Sequence, residues 1–164
     1  MTPEQQLIDC ALRAWKLSAD RFEKSFRDLS DAQLEAHVAP GRNRLLYLLG
    51  HVAAVHDRML PLLGIGPRRH TELDAFFIEN PDSDGPSPIA GSVLKEMLFE
   101  IDGALWDGYN KWSPADWLSK HTAVSDEDFA KEPHRNRLSV LLSRNSHLQF
   151  HHGQVVLTEP RASD

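Results

Sequence analysis

The chain has a single cysteine, Cys10, among 164 residues. No internal disulfide framework is possible, and a reducing cytoplasm is the expected compartment. Basic residues are in deficit, with 18 Lys and Arg against 24 Asp and Glu and a formal charge of −6. Nucleic-acid binding leans on neutralising phosphates with Lys and Arg, and the densest basic cluster is Arg68-Arg69-His70 beside a proline. That balance argues against a DNA or RNA partner. Long apolar runs are missing too. The stretch 45–63 is interrupted by His51, His56, Asp57 and Arg58, so it cannot span a bilayer. The opening MTPEQQLIDCALRAW lacks the basic start and apolar core of a signal peptide, and none is expected. Clean alternation of polar and apolar residues, the mark of a half-buried strand, is absent. The length fits one domain.

What is present is helical periodicity. The first long helix is expected over residues 3–29, with Pro3 in its first turn and Leu7, Ala11, Ala14, Leu17 and Phe22 recurring at helical spacing. Cys10 on that helix reads as a small core residue. Ser30 suits the cap of a short turn, and Pro40-Gly41 break the chain. A second helix is expected from Asn43 as N-cap until Pro61 and the glycines at 64 and 66, with Leu45, Leu48, Leu49, Val52, Val55 and Met59 inward. Residues 64–91, rich in Pro, Gly and Asp, read as a long loop of the kind that is often functional. The third helix covers 88–111, with Val93, Met97, Ile101, Leu105 and Trp106 inward. "SPADWLSKH" and "VSDEDFAKE" suit short helical turns, and the fourth helix spans 136–158. The sum is an all-α four-helix bundle over 1–158, with a long loop between the second and third helices and a flexible tail at 159–164. Sites in such bundles are built from side chains of facing helices. A short echo, "GRNRLLYLLGH" against "HRNRLSVLLSRNSH", shows two helices that begin with the same cap, Asn43 and Asn136, and both carry histidine.

Of nine histidines, three stand within "HLQFHHGQ". His147 and His151 lie four apart, so their side chains point about 40° from each other, one turn up the same helix face. Two imidazoles so placed can close on one metal ion. Gln154 shares the face, at about 20° from His147 on the other side. His152 is turned about 100° from His151 and reads as a packing or surface residue. A His-x-x-x-His pair also arises by chance in a chain with nine histidines. Against chance, Val140, Leu141, Leu148, Phe150, Val155, Val156 and Leu157 cover most of the helix circumference, which predicts a largely buried helix. Buried imidazoles need partners for their nitrogens. A third ligand would come from the second helix, which offers His51 and His56. His56 lies nearer the middle of the inward stripe, and periodicity leaves both open. Asp57 points off that stripe and reads as solvated or paired with a cation. His37, His70, His121 and His134 fall in loops or at helix ends, where an exposed imidazole requires no explanation.

The sequence "LLYLLGHVAAVHDRML", followed some ninety residues later by "HLQFHHGQVV", resembles the DinB/YfiT-like superfamily of metal-binding four-helix bundles. "LSDAQLEAHVAPGRNRLLYLLGH" is similar to that family's approach to its first ligand. The resemblance implies that His51, rather than His56, joins His147 and His151 on a divalent ion such as Zn, Ni or Fe, with a position left open and Gly153-Gln154 completing the motif. Where the family often has Arg or Lys after the second motif histidine, this chain has His152. The resemblance further implies a homodimer acting on a small-molecule substrate. The reaction implied is that of an S-transferase using a low-molecular-weight thiol, or of a hydrolase using metal-bound water. A metal-stabilised structural or sensing module is the non-enzymatic alternative. No general base is singled out: His56, Asp57 and Gln154 are near in sequence only. Segment 64–91 is expected to border the substrate pocket.

Overall fold

The computed structural model describes residues 1–158, and all its regular elements are helices: α1 (Pro3–Arg27), α2 (Asp31–Leu34), α3 (Leu45–Leu63), α4 (Leu73–Phe77), α5 (Gly91–Tyr109), α6 (Pro114–Leu118), α7 (Asp126–Lys131) and α8 (Arg137–Val156). Four are long, at 19–25 residues, and four are short, at 4–6. Among the described residues there is no strand, and no helix is long and apolar enough to cross a membrane. The tail expected at 159–164 lies outside the described residues.

Local chemistry sets most boundaries. Thr2 accepts from the Gln5 amide ahead of Pro3 in α1, Ser30 forms a capping box with Gln33 on α2, and Asn136 accepts from the Ser139 amide on α8. Each satisfies an N-terminal amide that the helix itself cannot. The start of α3 is a correction. Its N-cap is Arg44, not Asn43, because the Asn43 carbonyl is engaged by the Val38 amide in the preceding turn. Of the breaks expected at its far end, Pro61 is not the one that acts. It sits exposed in the last turn, and the helix stops at Gly64, whose φ of 75° is the left-handed conformation glycine adopts freely.

Side-chain pairings give the helix directions. Lys95 caps the Arg27 and Leu29 carbonyls while Trp15 stacks on Trp106, so α1 and α5 run antiparallel. Gly91 lies by Leu46 and Asp102 bonds His56, so α5 runs parallel to α3. Arg137 reaches the Leu63 carbonyl while His147 meets His51, so α8 opposes α3. Gln149 bonds Ser18 and His152 bonds Ser25, so α8 parallels α1. The four long helices enclose one core.

Several expected faces turn out rotated. On α1 the buried residues are Ile8, Trp15, Ala19, Phe22 and Phe26, while Leu7 and Leu17 are exposed and so is Cys10, which is no core residue. The bulky rings set the inward direction because they bury the most apolar area. On α5 the stripe is Leu94, Leu98, Ile101 and Leu105, with Val93 exposed. The largest departure is α8, which is not largely buried. Only Leu141, Leu148 and Val155 are in the core, and Leu142, Phe150, Val156 and Leu157 face outward. It packs against α1 and α3 and, near its start, against α6. Segment 64–91 is no plain loop either, since it carries α4 and is pinned by ion pairs such as Arg68–Asp57 and Arg44–Asp82. Asp57 is fully buried rather than solvated, and accepts from Arg68 Nε and the Arg69 and His70 amides. The partly buried His70, expected to be unremarkable, bonds Glu72 and Glu100.

Candidate metal centre

Three of the sequence-predicted residues meet. His51 comes from α3, and His147 and His151 come one turn apart from α8. One ring nitrogen of each lies within 4.8 Å of the other two. The Nε2 atoms of His51 and His147 are 3.2 Å apart, and those of His151 and His147 are 3.1 Å apart. Two nitrogens held ~2.0–2.1 Å from one tetrahedral ion stand about 3.3 Å apart, so the spacing fits a divalent cation.

The opposite edges of the rings support that reading. His51 Nδ1 donates to the Phe77 carbonyl at 2.8 Å, and a carbonyl can only accept. Its proton therefore sits on Nδ1, and the lone pair of Nε2 faces the other two rings. His151 Nδ1 lies 2.8 Å from Gln154 Oε1, which fixes the same tautomer. Two lone pairs thus point at a shared space, which is repulsive until a proton or a cation occupies it. Such outer bonds are what orient metal-binding histidines elsewhere. His147 differs: its Nδ1 is buried and has no partner among the described residues.

Electrostatics favour the neutral form of the two α8 rings. Burial is the main cause pulling the His147 pKa down to about 4, and the charges of His151, His51, Arg144 and His56 add to it. Burial also lowers His151, against the opposing bond to Gln154. Neutral imidazole is the form that binds metal. All three rings are partly buried. Tyr47 stacks on His51 with its ring plane 10° away, and Phe150, 64% exposed, lies against His151. A cavity of about 280 Å³ opens beside Tyr47, lined also by Phe76, Phe77, Asn80 and Pro86 of segment 64–91.

The other predicted residues divide. Gln154 belongs to the site through His151. Asp57 does not, since its oxygens are taken by the Arg69 and His70 amides and the Arg68 side chain. His56 is not in the trio. It is fully buried, with Nδ1 2.6 Å from Asp102 Oδ1 and Nε2 without a protein partner. His152 bonds Ser25 and packs edge-on to Phe22, as its rotation predicted. Two participants were missed. The Phe77 carbonyl leaves no trace in side-chain pattern, whereas Asp102 is a lone carboxylate between Leu98 and Leu105 on an otherwise apolar stripe, a signal the sequence did contain.

Comparison with known proteins agrees with this fold. The chain is similar to a DinB-like protein from Bacillus cereus ATCC 10987 whose crystal structure superposes with a TM-score of 0.63 at 19% identity, covering 94% of this chain and 95% of that one. No curated protein matches. The sequence model of the DinB superfamily matches residues 14–155, from the first buried turns of α1 to the end of α8 and across all three histidines. The chain belongs to the DinB superfamily.

Proposed function

We propose that the protein is a divalent-metal-dependent enzyme, in which His51, His147 and His151 hold one ion through Nε2 inside a DinB-type four-helix bundle made by α1, α3, α5 and α8. The observation that carries the reading is the convergence of three ring nitrogens, two of them with Nδ1 engaged elsewhere. An ion on three neutral imidazoles keeps its double charge and supplies electrophilic assistance to a bound thiol or water. The protein's part is to hold geometry and protonation. Phe77 and Gln154 orient two rings, and burial keeps His147 and His151 neutral.

The favoured reaction is S-transfer from a low-molecular-weight thiol to a small electrophile. The donor set suits Zn, Ni and Fe. The Tyr47–Phe76–Phe77 cavity is the proposed substrate pocket. One domain is proposed across 1–158, working in the cytoplasm as a homodimer through the outer apolar face of α8, where Leu142, Phe150 and Val156 are exposed.

Metal analysis of the purified protein, followed by thiol-consumption assays with small electrophiles, tests the reading. About one ion per chain is expected, with thiol consumption abolished in His147→Ala. Turnover of amides without thiol would favour the hydrolase instead. Bound metal with neither activity would leave the structural or sensing role, and a protein that binds no divalent ion sinks all three.

A further inference from the structure

The buried imidazole nitrogens without a partner among the described residues include two that stand on facing helices. His147 Nδ1 is the outer nitrogen of the one ring in the trio that nothing orients, and His56 Nε2 is the free nitrogen of the ring bound to Asp102. The pairings across α3 and α8 set their levels. His51 lies opposite His147 and His151, and Leu63 lies opposite Arg137. His56 therefore falls about three residues, or ~4.5 Å of rise, from the level of His147. Side chains lean toward the N-terminus of their own helix. Because α3 and α8 are antiparallel, these two lean toward each other.

The polarity of the bonds also matches. His56 Nδ1 lies 2.6 Å from a carboxylate oxygen of Asp102, which accepts, and in the Nδ1–H tautomer that this bond favours Nε2 is an acceptor. A His147 that gives Nε2 to a metal carries its proton on Nδ1 and is a donor. The two nitrogens make no direct bond, and a donor and an acceptor are what one bridging water needs. A third unpartnered group, the buried Trp15 Nε1–H, belongs to a ring 6.1 Å from His56. Buried waters typically make about three hydrogen bonds, and these groups supply two donors and one acceptor.

We propose that a buried water joins His147 Nδ1, His56 Nε2 and Trp15 Nε1, so that His56, held by Asp102, is the positioning residue for the His147 ligand. The chain then runs Asp102–His56–water–His147, and all three rings of the trio acquire an outer partner. This rests on the metal reading above and adds a role for the one buried histidine that the trio does not use. Orienting partners of this kind are worth about ten- to a hundredfold in metal affinity.

The test is the zinc affinity of the full chain, measured by competition with a chelator, for wild type, His56→Phe, His56→Gln and Asp102→Ala. A ten- to hundredfold loss is expected for His56→Phe and a smaller one for Asp102→Ala. Gln keeps a polar acceptor near the position of Nε2 and is expected to restore most of the binding. In zinc-loaded wild type, proton NMR is expected to show a His147 Nδ1–H protected from exchange, and His56→Phe to lose that signal. Wild-type affinity in a folded His56→Phe variant overturns the proposal while leaving the metal site intact. A wild type that binds no zinc overturns the metal reading first. Should the variants fail to fold, a high-resolution crystal structure of wild type decides, because a dry gap between the two rings refutes the bridge.

Discussion

Phe77 supports His51 twice. Its carbonyl accepts from His51 Nδ1 at 2.8 Å, and its ring lies where a Cβ on Gly50, the residue before His51, would stand 2.5–2.6 Å away. The missing side chain at position 50 is thus what lets α4 come close enough to orient the histidine.

Gly50→Ala is therefore expected to push α4 outward and to lengthen or break the His51–Phe77 bond. Overpacking of this kind costs about 1–3 kcal/mol, and loss of the outer bond weakens zinc about tenfold or more. Chelator competition and thermal melting of the same sample measure both. Unchanged zinc affinity in Gly50→Ala would show that Phe77 does not orient His51.

The sequence was most legible where local chemistry decides. Helix type, the Ser30 and Asn136 caps and the turn shared by His147 and His151 follow from spacing and hydrogen-bonding capacity alone. The choice of His51 over His56 did not follow from periodicity. His56 is the more deeply buried of the two, and what distinguishes them is that His51 meets His147 directly while His56 Nδ1 is taken by Asp102 of α5, a matter of tertiary packing. The same limit misplaced Leu7 and Leu17, since three aromatic rings on α1 outweigh a leucine stripe only once α5 and α8 are in place. Asp57 was expected to be solvated or cation-paired. Its partner, Arg68, lies eleven residues on, across a turn whose path no pattern specifies.

Arg44 and Asp82 illustrate that limit again and yield a second prediction. Arg44 donates to Asp82 from its backbone amide and Nη2, both at 2.7 Å, to Glu35 from Nη1, and to the Gly85 carbonyl at 3.0 Å. Both charged side chains of the Arg44–Asp82 pair are nearly buried, at 6% and 8% exposed. Removing one partner of such a pair leaves an uncompensated buried charge, at a cost of about 3–5 kcal/mol. Arg44→Met is expected to lower stability on that scale in urea unfolding and to expose residues 78–90 to proteolysis. Protection of that segment unchanged from wild type would count against the pair as its anchor.

The metal-free protein should lose stability in acid through His147. Its pKa is about 4 in the folded chain against an ordinary 6.5. Between those values the unfolded chain binds the extra proton, so stability rises with pH. This contribution is complete above about pH 6.5, is lost as pH falls toward 4, and changes no further below that. Its size is about 2–3 kcal/mol, at 1.36 kcal/mol per pKa unit with a reduction for partial exposure. Melting temperatures of chelator-treated protein from pH 4 to 7 measure it, and His147→Leu is expected to flatten that slope. A variant with the wild-type slope would assign the acid sensitivity to other groups.

Glu23 acts in the opposite sense. It lies partly buried on α1, and burial raises its pKa from 4.5 to about 7, with Asp102 and Asp20 adding negative charge and Lys16 and Arg27 only partly offsetting them. Here the folded chain holds the proton more tightly than the unfolded one. Stability therefore falls as pH rises from about 4.5 to 7 and stays reduced above that. Gln has nearly the shape of protonated Glu and cannot ionise. Glu23→Gln is expected to match wild type near pH 4.5 and to melt ~2–4 °C higher at pH 8, the shift of about 1 kcal/mol in a chain of this size. Equal melting temperatures at pH 8 would mean that Glu23 ionises there without penalty, and that Asp102 is shielded from it by its own bond to His56.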